Sequence, residues 1–380
     1  MKTNNIKFIL GKAGTGKTTS ILNSLMKIEM PDVKVLCIAY THSAVDNLKM
    51  KSENKFDYMT IHKFLKLPIN KIIFRPLKQY CLFSNKYNYV VIDEISLIPL
   101  DIINLIFWLA EHYKECNFIF IGDLLQLPSI YYSKSNSKRT INFKNFKFNN
   151  SELKLSLNDS IKLLLYLNDT VFFNPYYING DKMVLTYNYR NNLNVQNIIK
   201  DIMTEPEHIK KYLINTIDLS KNTDYTFLAS RYKYLKILYD ITINPLSTTT
   251  KKCVVCKIGE IYISEGDILV ANENIPDMNL VNGEEYKITD IDDDIMLFNM
   301  KLFIPYNYLT IHKSQGKTLN KIILCIDDLF EISMLYTALT RAKEDIKIIC
   351  FGDINKEINK IKENNKLFNI LNGLLYCESE

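Results

Sequence analysis

One stretch near the amino terminus constrains this 380-residue chain most, because it fits the phosphate-binding loop pattern G-x-x-x-x-G-K-[ST] without a gap. The apolar residues 6–10 before it predict a short buried strand, and residues 20–28 after it have the apolar spacing of a helix. A glycine-rich turn between such elements points backbone N–H groups and a helix N-terminus at an anion. The sequence therefore predicts a nucleoside triphosphate site, formed by Gly11, Ala13, Gly14, Thr15, Gly16, Lys17, Thr18 and Thr19.

Two side chains of this loop have separate roles, and a second motif complements them. The Lys17 ammonium can reach the β- and γ-phosphates, and the Thr18 hydroxyl can hold Mg²⁺. Further along, the apolar residues 89–92 end in Asp93 and Glu94. Carboxylates at the carboxyl end of a parallel strand lie where such sheets bind ligands. We expect Asp93 to hold Mg²⁺ and Glu94 to polarise the attacking water.

A third apolar run, residues 117–121, ends in a Gly-Asp turn that is followed by Gln126. An amide both donates and accepts hydrogen bonds, so the side chain of Gln126 is suited to sense the γ-phosphate. Alone, this segment is typical of an ordinary turn. After the first two motifs, it indicates an NTPase of the α/β class.

Composition restricts the class of protein further. With 47% hydrophobic and 23% charged residues, the sequence predicts a soluble globular chain, and its length suits two domains. The net charge of +5 is mild, but residues 61–90 carry six Lys/Arg and 131–150 carry five, with no Asp or Glu in either. Such basic runs are candidate nucleic-acid surfaces. The eight scattered cysteines form no disulfide framework, so we expect an intracellular, reducing compartment. The most apolar segment, 98–110, is too short to span a bilayer, so we expect no membrane partner.

Further motifs stand in a definite order along the chain, at residues 39–44, 60–64, 185–190, 309–318 and 335–342. Together with the first three motifs, they resemble the series found in superfamily 1 helicases of the RecD/Dda-like branch. The sequences Thr-Ile-His-Lys-Ser-Gln-Gly and Tyr-Thr-Ala-Leu-Thr-Arg are the most specific of them. The resemblance covers essentially the whole chain.

The resemblance implies an α/β fold with two RecA-like P-loop NTPase domains, 1A at residues 1–130 and 2A at residues 131–380. It also implies a pin or wedge insertion at about 66–88 in the first domain and an SH3-like β-barrel insertion at about 253–306 in the second. Apolar strands alternating with helical stretches agree independently with the two-domain fold. Short β-type runs around the Asn-Gly pair at 282–283 agree with the barrel.

In such helicases ATP lies between the two domains, and the resemblance implies that Arg190 and Arg341 reach the γ-phosphate from the second domain. A planar guanidinium suits the charge that spreads over the phosphoryl oxygens. An arginine supplied across a cleft makes hydrolysis depend on domain closure. Gly316 is implied to border the nucleotide, and the predicted catalytic residues are Lys17, Glu94, Gln126, Arg190 and Arg341.

The resemblance also implies a path for a single strand across both domains, with hydroxyl and imidazole groups contacting phosphate and sugar without reading sequence. The predicted contacts are Thr41, His42, Thr60, His62, Thr310, His312 and Ser314. Tyr40 occupies a position where relatives commonly have proline, and it can stack on a base. In the pin insertion, Phe74, Tyr80 and Phe83 are candidates for stacking on the junction base pair, and a local hydrophobic plug explains them equally well.

The activity implied by the resemblance is an ATP- and Mg²⁺-dependent DNA helicase that moves 5′ to 3′ on single-stranded DNA and opens forks. A monomer suffices, and replication or repair proteins are candidate partners. The chain departs from the family pattern in having no glutamine before Gln79, which weakens the expectation of adenine specificity. Three alternatives stay open: an ATPase that remodels protein–DNA complexes, an RNA helicase, and a P-loop small-molecule kinase.

Overall fold

The computed structural model describes residues 5–28, 32–66, 86–127, 180–216, 224–242, 252–273, 284–289, 300–328 and 330–376, with residues 174, 177, 219, 275, 280 and 282. The predicted pin residues Phe74, Tyr80 and Phe83 lie outside this part of the chain. Most of residues 131–182, the long stretch between the motif that ends near Gln126 and the motif at 185–190, also lies outside it.

The strands are β1 (Ile6–Gly11), β2 (Val35–Ala39), β3 (Asp57–Thr60), β4 (Tyr89–Ile92), β5 (Asn117–Gly122), β6 (Asp181–Leu185), β7 (Thr226–Ala229), β8 (Lys252–Cys256), β9 (Gly259–Ile263), β10 (Ile268–Ala271), β11 (Glu285–Lys287), β12 (Phe303–Pro305), β13 (Tyr308–Thr310), β14 (Leu319–Ile326) and β15 (Ala342–Cys350). The α-helices are α1 (Lys17–Met26), α2 (His42–Lys51), α3 (Ile61–Phe64), α4 (Leu100–His112), α5 (Leu193–Thr204), α6 (Tyr232–Thr242), α7 (Ile311–Ser314), α8 (Ile332–Leu339) and α9 (Ile354–Tyr376). Short 3₁₀ helices lie at Ile95–Leu97, Pro206–Tyr212 and Met300–Leu302.

The first sheet of the described residues is parallel, with strand order β3-β2-β4-β5-β1-β6. Its central strands are almost entirely buried, which explains their near-continuous apolar sequences. Because the strands are parallel, their carboxyl ends meet at one edge. The phosphate-binding loop after β1, Asp93 after β4 and Asp123 after β5 therefore converge there.

The edge strand β6 changes the predicted domain boundary. Residues from 131 onward were expected in the second domain, but β6 pairs in parallel with β1 and so extends the first sheet. Pairing with the chain's own later strand covers an edge of β1 that would otherwise be open. We therefore propose that the first domain ends after β6.

The second sheet is also parallel, with strand order β13-β7-β14-β15. Its strands β7, β14 and β15 coincide with apolar runs of the sequence at about residues 225–229, 321–326 and 346–351. The parallel sheets resemble the RecA-like arrangement that was expected. None of the helices among the described residues is both long and apolar enough to cross a bilayer.

The region of the expected barrel contains short antiparallel strands. One hairpin joins β8 to β9, and a separate sheet has the order β11-β10-β12. Of the short β-type runs expected around the Asn-Gly pair, those at 260–263 and 267–270 correspond to β9 and β10, and that at 286–291 overlaps β11. The run at 295–302 ends in the 3₁₀ helix Met300–Leu302, and its residues 295–299 lie outside the described part of the chain. Within the described residues these strands form two sheets, so the SH3-like barrel stays a prediction.

Candidate functional site

The loop between β1 and α1 depends on glycine. Gly14 and Gly16 have φ values of 85° and 73°, in the left-handed region that side chains disfavour. A Cβ atom at Gly14 would collide with Oδ1 of Asn188 and lie 2.8 Å from Cβ of Arg190. The backbone N–H of Tyr189 donates to the Gly14 carbonyl at 2.8 Å. The loop therefore packs directly against the segment that carries Arg190.

Lys17 lies inside the loop, as the motif predicts. Its Nζ donates to the carbonyl oxygens of Gly11 at 2.8 Å and Lys12 at 2.9 Å. Burial lowers the pKa of Lys17, and the nearby carboxylates of Asp123 and Glu94 oppose that shift. Its ammonium thus lies among acidic groups at the carboxyl edge of the first sheet.

The residues predicted to hold Mg²⁺ are in contact. The Thr18 hydroxyl lies 3.1 and 3.0 Å from the two carboxylate oxygens of Asp93. Burial raises the pKa of Asp93 to about 6, and the neighbouring Glu94 adds to this shift. Glu94 itself has a left-handed φ of 53°, and its N–H donates to Asp93 at 3.0 Å. Such crowded acidic groups favour a cation beside them.

The donor set fits Mg²⁺ bound together with a substrate. Mg²⁺ usually keeps several waters and takes one or two carboxylates plus substrate phosphates, rather than a complete protein cage. No group of three or more His, Cys, Asp or Glu suited to a metal occurs among the described residues. The single hydroxyl of Thr18 and the single carboxylate of Asp93 therefore suit a Mg²⁺ ion that is bound together with substrate phosphates and water.

Gln126 is buried beside Asp123, with exposed fractions of 3% and 1%. Its Nε2 donates to Oδ2 of Asp123 at 3.4 Å, whereas its Oε1 is buried without a hydrogen-bond partner among the described residues. Leaving a buried polar atom unpaired costs about 1–3 kcal/mol. A polar ligand or water at this atom would remove that cost, which agrees with the sensing role expected of Gln126.

Both predicted arginines are at the site. Arg341 is fully buried; its Nε donates to the carbonyl of Thr337 at 3.0 Å and a terminal nitrogen to the Thr340 hydroxyl at 3.2 Å. Burial, followed by the charge of Arg190, lowers the pKa of Arg341 to about 10. Arg190 donates to the Thr340 carbonyl at 3.3 Å, and burial lowers its pKa, with Glu94 opposing.

The buried guanidinium group of Arg341 lies close to the half-buried one of Arg190, and two such like charges are costly without an anion. Where the structure describes the chain, no salt bridge to a carboxylate is formed by Arg190 or Arg341. An uncompensated buried charge is destabilising by several kcal/mol as an order of magnitude. The arrangement therefore suits an anionic ligand next to the phosphate-binding loop.

The two domains meet around these residues. The Leu127 N–H donates to the Thr337 hydroxyl at 3.0 Å, and Nε2 of Gln315 donates to the Leu127 carbonyl at 3.2 Å. Gly316 has a left-handed φ of 76°, and its carbonyl accepts from Nδ2 of Asn47 at 3.0 Å. Gly316 thus contacts the first domain, and its role beside the nucleotide stays a prediction.

The three threonines predicted to contact nucleic acid share one local structure. Thr41, Thr60 and Thr310 are the N-caps of α2, α3 and α7, and each hydroxyl accepts from a backbone N–H three residues later, at 3.2, 3.3 and 3.4 Å. Thr41 is exposed and Thr60 half-buried, so their hydroxyl protons can donate to a phosphate, whereas Thr310 is buried in this conformation. Ser314 differs: it is fully buried and donates to the Ile311 carbonyl at 2.7 Å, so a direct strand contact by Ser314 does not fit this conformation.

The predicted aromatic and histidine contacts cluster after β2 and β3. The rings of Tyr40 and His62 lie 5.1 Å apart. Burial and the neighbouring His42 lower the pKa of His62, and burial lowers that of His312. Both imidazoles are therefore neutral at pH 7, and they would bind a strand through hydrogen bonds and stacking.

Sequence reasoning missed several residues at the nucleotide site. Tyr189 is 74% exposed beside the phosphate-binding loop, with its ring 3.5 Å from the Cβ position of Gly16. Asp123 is hydrogen-bonded by Tyr336 and Tyr376 of the second domain. Asp123 lies in the Gly-Asp turn and Tyr336 in the Tyr-Thr-Ala-Leu motif, so both motifs were recognised but neither residue was given a role. No sequence pattern marked Tyr376.

Comparisons with known proteins identify helicases as relatives of this chain. A family model described as an AAA domain matches residues 1–132. The RecBCD enzyme subunit RecD of Buchnera aphidicola subsp. Acyrthosiphon pisum is 25% identical over 448 residues, covering 96% of this chain and 73% of that protein. The DNA replication ATP-dependent helicase/nuclease dna2 of Schizosaccharomyces pombe is 30% identical over 169 residues, 37% of this chain and 12% of that protein.

Solved structures show the same fold. The Pif1 helicase from Candida albicans matches with a TM-score of 0.60 and 16% identity, covering 98% of this chain and 95% of that one. The Pif1 helicase from Bacteroides in complex with ADP-AlF3 and single-stranded DNA matches with a TM-score of 0.56 and 17% identity, covering 94% and 91%. The ordered motifs, the AAA domain match and the RecD relatives agree with one another: this chain is similar to superfamily 1 helicases of the RecD/Pif1 type, and it shares the fold of the Pif1 structures.

Proposed function

We propose that this chain is an ATP-dependent DNA helicase that moves 5′ to 3′ along single-stranded DNA and separates the strands of a fork. The observation that carries the proposal is the position of Arg190 and Arg341. Arg341 is buried and Arg190 half-buried, both are near Glu94 and Asp123 of the first domain, and neither is paired with a carboxylate in the described residues. Hydrolysis that needs groups from both domains links the chemistry to domain movement.

The residues present fit ATP with Mg²⁺. The loop of residues 11–19 would hold the phosphates, and Thr18 and Asp93 would hold the cation, which neutralises charge on the phosphate oxygens. Glu94 would accept a proton from the attacking water, and Gln126 would orient the reacting group through its unpaired Oε1. Arg190 and Arg341 would stabilise the charge that develops on the phosphoryl oxygens.

Single-stranded and forked DNA are the proposed nucleic-acid partners. Among structural neighbours, a Pif1 helicase from Bacteroides was crystallised with single-stranded DNA, and another Pif1 structure is described as the basis of DNA unwinding at forked double-stranded DNA. In this chain the capping hydroxyls of Thr41 and Thr60, with Tyr40 and His62, offer contacts that do not depend on base sequence. The 5′ to 3′ polarity is proposed from the resemblance of the motifs to the RecD/Dda-like branch. Action as a monomer is proposed because one chain supplies every group of the site.

Two finer features are also part of the proposal. The insertion at 66–88 would act as the pin that splits the duplex, through Phe74, Tyr80 or Phe83, and the strands β8–β12 would close into an SH3-like barrel. Support for the barrel comes from the antiparallel pairing of these strands. Replacing the three pin aromatics together tests the pin, because unwinding would fall while translocation continues.

The direct test of the proposed activity is ATP hydrolysis with and without oligonucleotides. We expect single-stranded DNA to stimulate hydrolysis, and Lys17→Ala to abolish it by removing the ammonium that contacts the phosphates. Stimulation by RNA alone would indicate an RNA helicase instead. Hydrolysis that no oligonucleotide affects would contradict the helicase function and favour a small-molecule substrate.

A further inference from the structure

Asp123, in the turn after β5, is the centre of a hydrogen-bond cluster that the proposed mechanism does not use. Its Oδ1 accepts from the Leu125 N–H at 3.1 Å and from the Tyr376 hydroxyl at 2.8 Å. Its Oδ2 accepts from the Tyr336 hydroxyl at 2.7 Å and from Nε2 of Gln126 at 3.4 Å. Both oxygens of a buried carboxylate are thus satisfied, and two of the four donors come from the second domain.

The hydroxyls of Tyr336 and Tyr376 form the same pattern of hydrogen bonds. The Tyr376 hydroxyl accepts from the Leu124 N–H at 3.3 Å, and the Tyr336 hydroxyl accepts from the Ala13 N–H of the phosphate-binding loop at 3.4 Å. Each hydroxyl therefore accepts from the first-domain backbone and has its single proton available for Asp123. Burial raises the pKa of both phenols well above the ordinary value, so both stay protonated donors.

Helix α9 supports both tyrosines. It carries Tyr376 at its last residue, and its Phe368 ring packs 5.3 Å from the ring of Tyr336. Tyr376 also lies 3.5 Å from the Gly11 carbonyl, the same carbonyl that accepts from Lys17. The end of this helix thus contacts both the phosphate-binding loop and the turn that holds Gln126.

We propose that Tyr376 is a positioning residue for ATP hydrolysis: its hydroxyl fixes the Asp123 carboxylate, and through Asp123 it holds the amide of Gln126. The inference rests on the proposed ATPase function. Gln126 Nε2 bonds to Asp123, which leaves Oε1 directed away from that bond and without a partner among the described residues. A carboxylate held by fewer donors would rotate more freely, and the amide would lose its fixed orientation.

The test removes only the hydroxyl. In Tyr376→Phe the aromatic packing is kept, and we expect kcat of DNA-stimulated hydrolysis to fall about tenfold, because one hydrogen bond to a charged group is lost. KM for ATP should stay within about twofold, since nucleotide binding does not use this hydroxyl. Tyr212→Phe is the matched control, because it removes a similar bond, to Asp201 at 3.0 Å, away from the nucleotide site.

A double-mutant cycle with Asp123→Asn distinguishes positioning from a general structural effect. If Tyr376 acts through Asp123, Tyr376→Phe lowers kcat much less in the Asp123→Asn background than in the wild type. Equal losses in both backgrounds, or an equal loss in Tyr212→Phe, would overturn the proposal. If the wild-type protein hydrolyses ATP and Tyr376→Phe has the same kcat, only the proposed role of Tyr376 is contradicted. If the wild-type protein does not hydrolyse ATP, both the proposed function and this role are contradicted.

Discussion

The Tyr336 hydroxyl lies 2.7 Å from Oδ2 of Asp123, and this hydrogen bond joins the two domains at the nucleotide site. Tyr336 lies on α8, and the chain reaches Arg341 shortly after this helix ends. The position of Arg341 is therefore tied to the first domain through a bond that forms only when the domains are close. This relationship gives a physical basis for coupling between hydrolysis and domain closure.

Glu94 is expected to act on the attacking water rather than on nucleotide binding. Glu94→Gln keeps the size of the side chain but removes its basicity, so we expect kcat to fall at least about 100-fold with little change in ATP affinity. Steady-state turnover and nucleotide titration measure the two effects separately. Glu115→Gln, at the opposite end of β5, is the control, and near wild-type turnover in Glu94→Gln would contradict the assigned role.

Gly14 is expected to be required for more than its backbone conformation. Gly14 and Gly266 have similar φ values of 85° and 88°, but a Cβ atom would collide with Asn188 at Gly14 and meet nothing within 4 Å at Gly266. Alanine costs about 1 kcal/mol of strain at either position. Gly14→Ala should therefore lose ATP binding, as measured by titration, whereas Gly266→Ala should keep it. Equal affinities in the two variants would show that packing of the loop against 188–190 is not needed.

Tyr189 is expected to stack on the base of the nucleotide, because its exposed ring lies beside the start of α1. Stacking needs the ring and not the hydroxyl. Tyr189→Ala should raise KM for ATP about tenfold, and Tyr189→Phe should restore the wild-type value. Comparing ATP with GTP in these variants also tests base selectivity, which the missing early glutamine left uncertain. An unchanged KM in Tyr189→Ala would exclude stacking by this ring.

Strand binding is expected to depend on pH through His62. Its pKa is below the ordinary value of 6.5 because of burial and His42, and contact with a phosphate would raise it. Binding then takes up a proton, so affinity for single-stranded DNA should increase as pH falls from about 7 to 5.5. His62→Gln should flatten this dependence in fluorescence titrations at constant ionic strength. The same pH dependence in wild type and His62→Gln would remove His62 from the predicted contacts.

The nucleotide site could be predicted from sequence largely because its parts are local. The loop at 11–19, the Asp93-Glu94 pair and Gln126 each follow an apolar strand, and parallel strands bring such positions to one edge. The arginines were expected from the resemblance. In the structure Arg190 lies beside the loop, and Arg341 lies near Arg190, Glu94 and Asp123.

Contacts between distant parts of the chain could not be predicted in this way. Tyr376 and Asp123 are separated by 253 positions, and a tyrosine near the end of an amphipathic helix has no pattern that distinguishes it from core packing. The pairing of β6 with β1 depends on where the chain returns after residue 131, which composition does not determine. Ser314 was assigned to the strand path from its motif, whereas its burial follows from the geometry of the short helix α7.

Strand displacement on matched duplexes, one with a 5′ single-stranded tail and one with a 3′ tail, tests the central claim most directly. We predict ATP-dependent displacement from the 5′-tailed duplex alone, with none in Lys17→Ala. Displacement only from the 3′ tail would contradict the proposed polarity. Failure on both duplexes, with DNA-stimulated hydrolysis intact, would contradict unwinding and leave a translocase that remodels protein–DNA complexes.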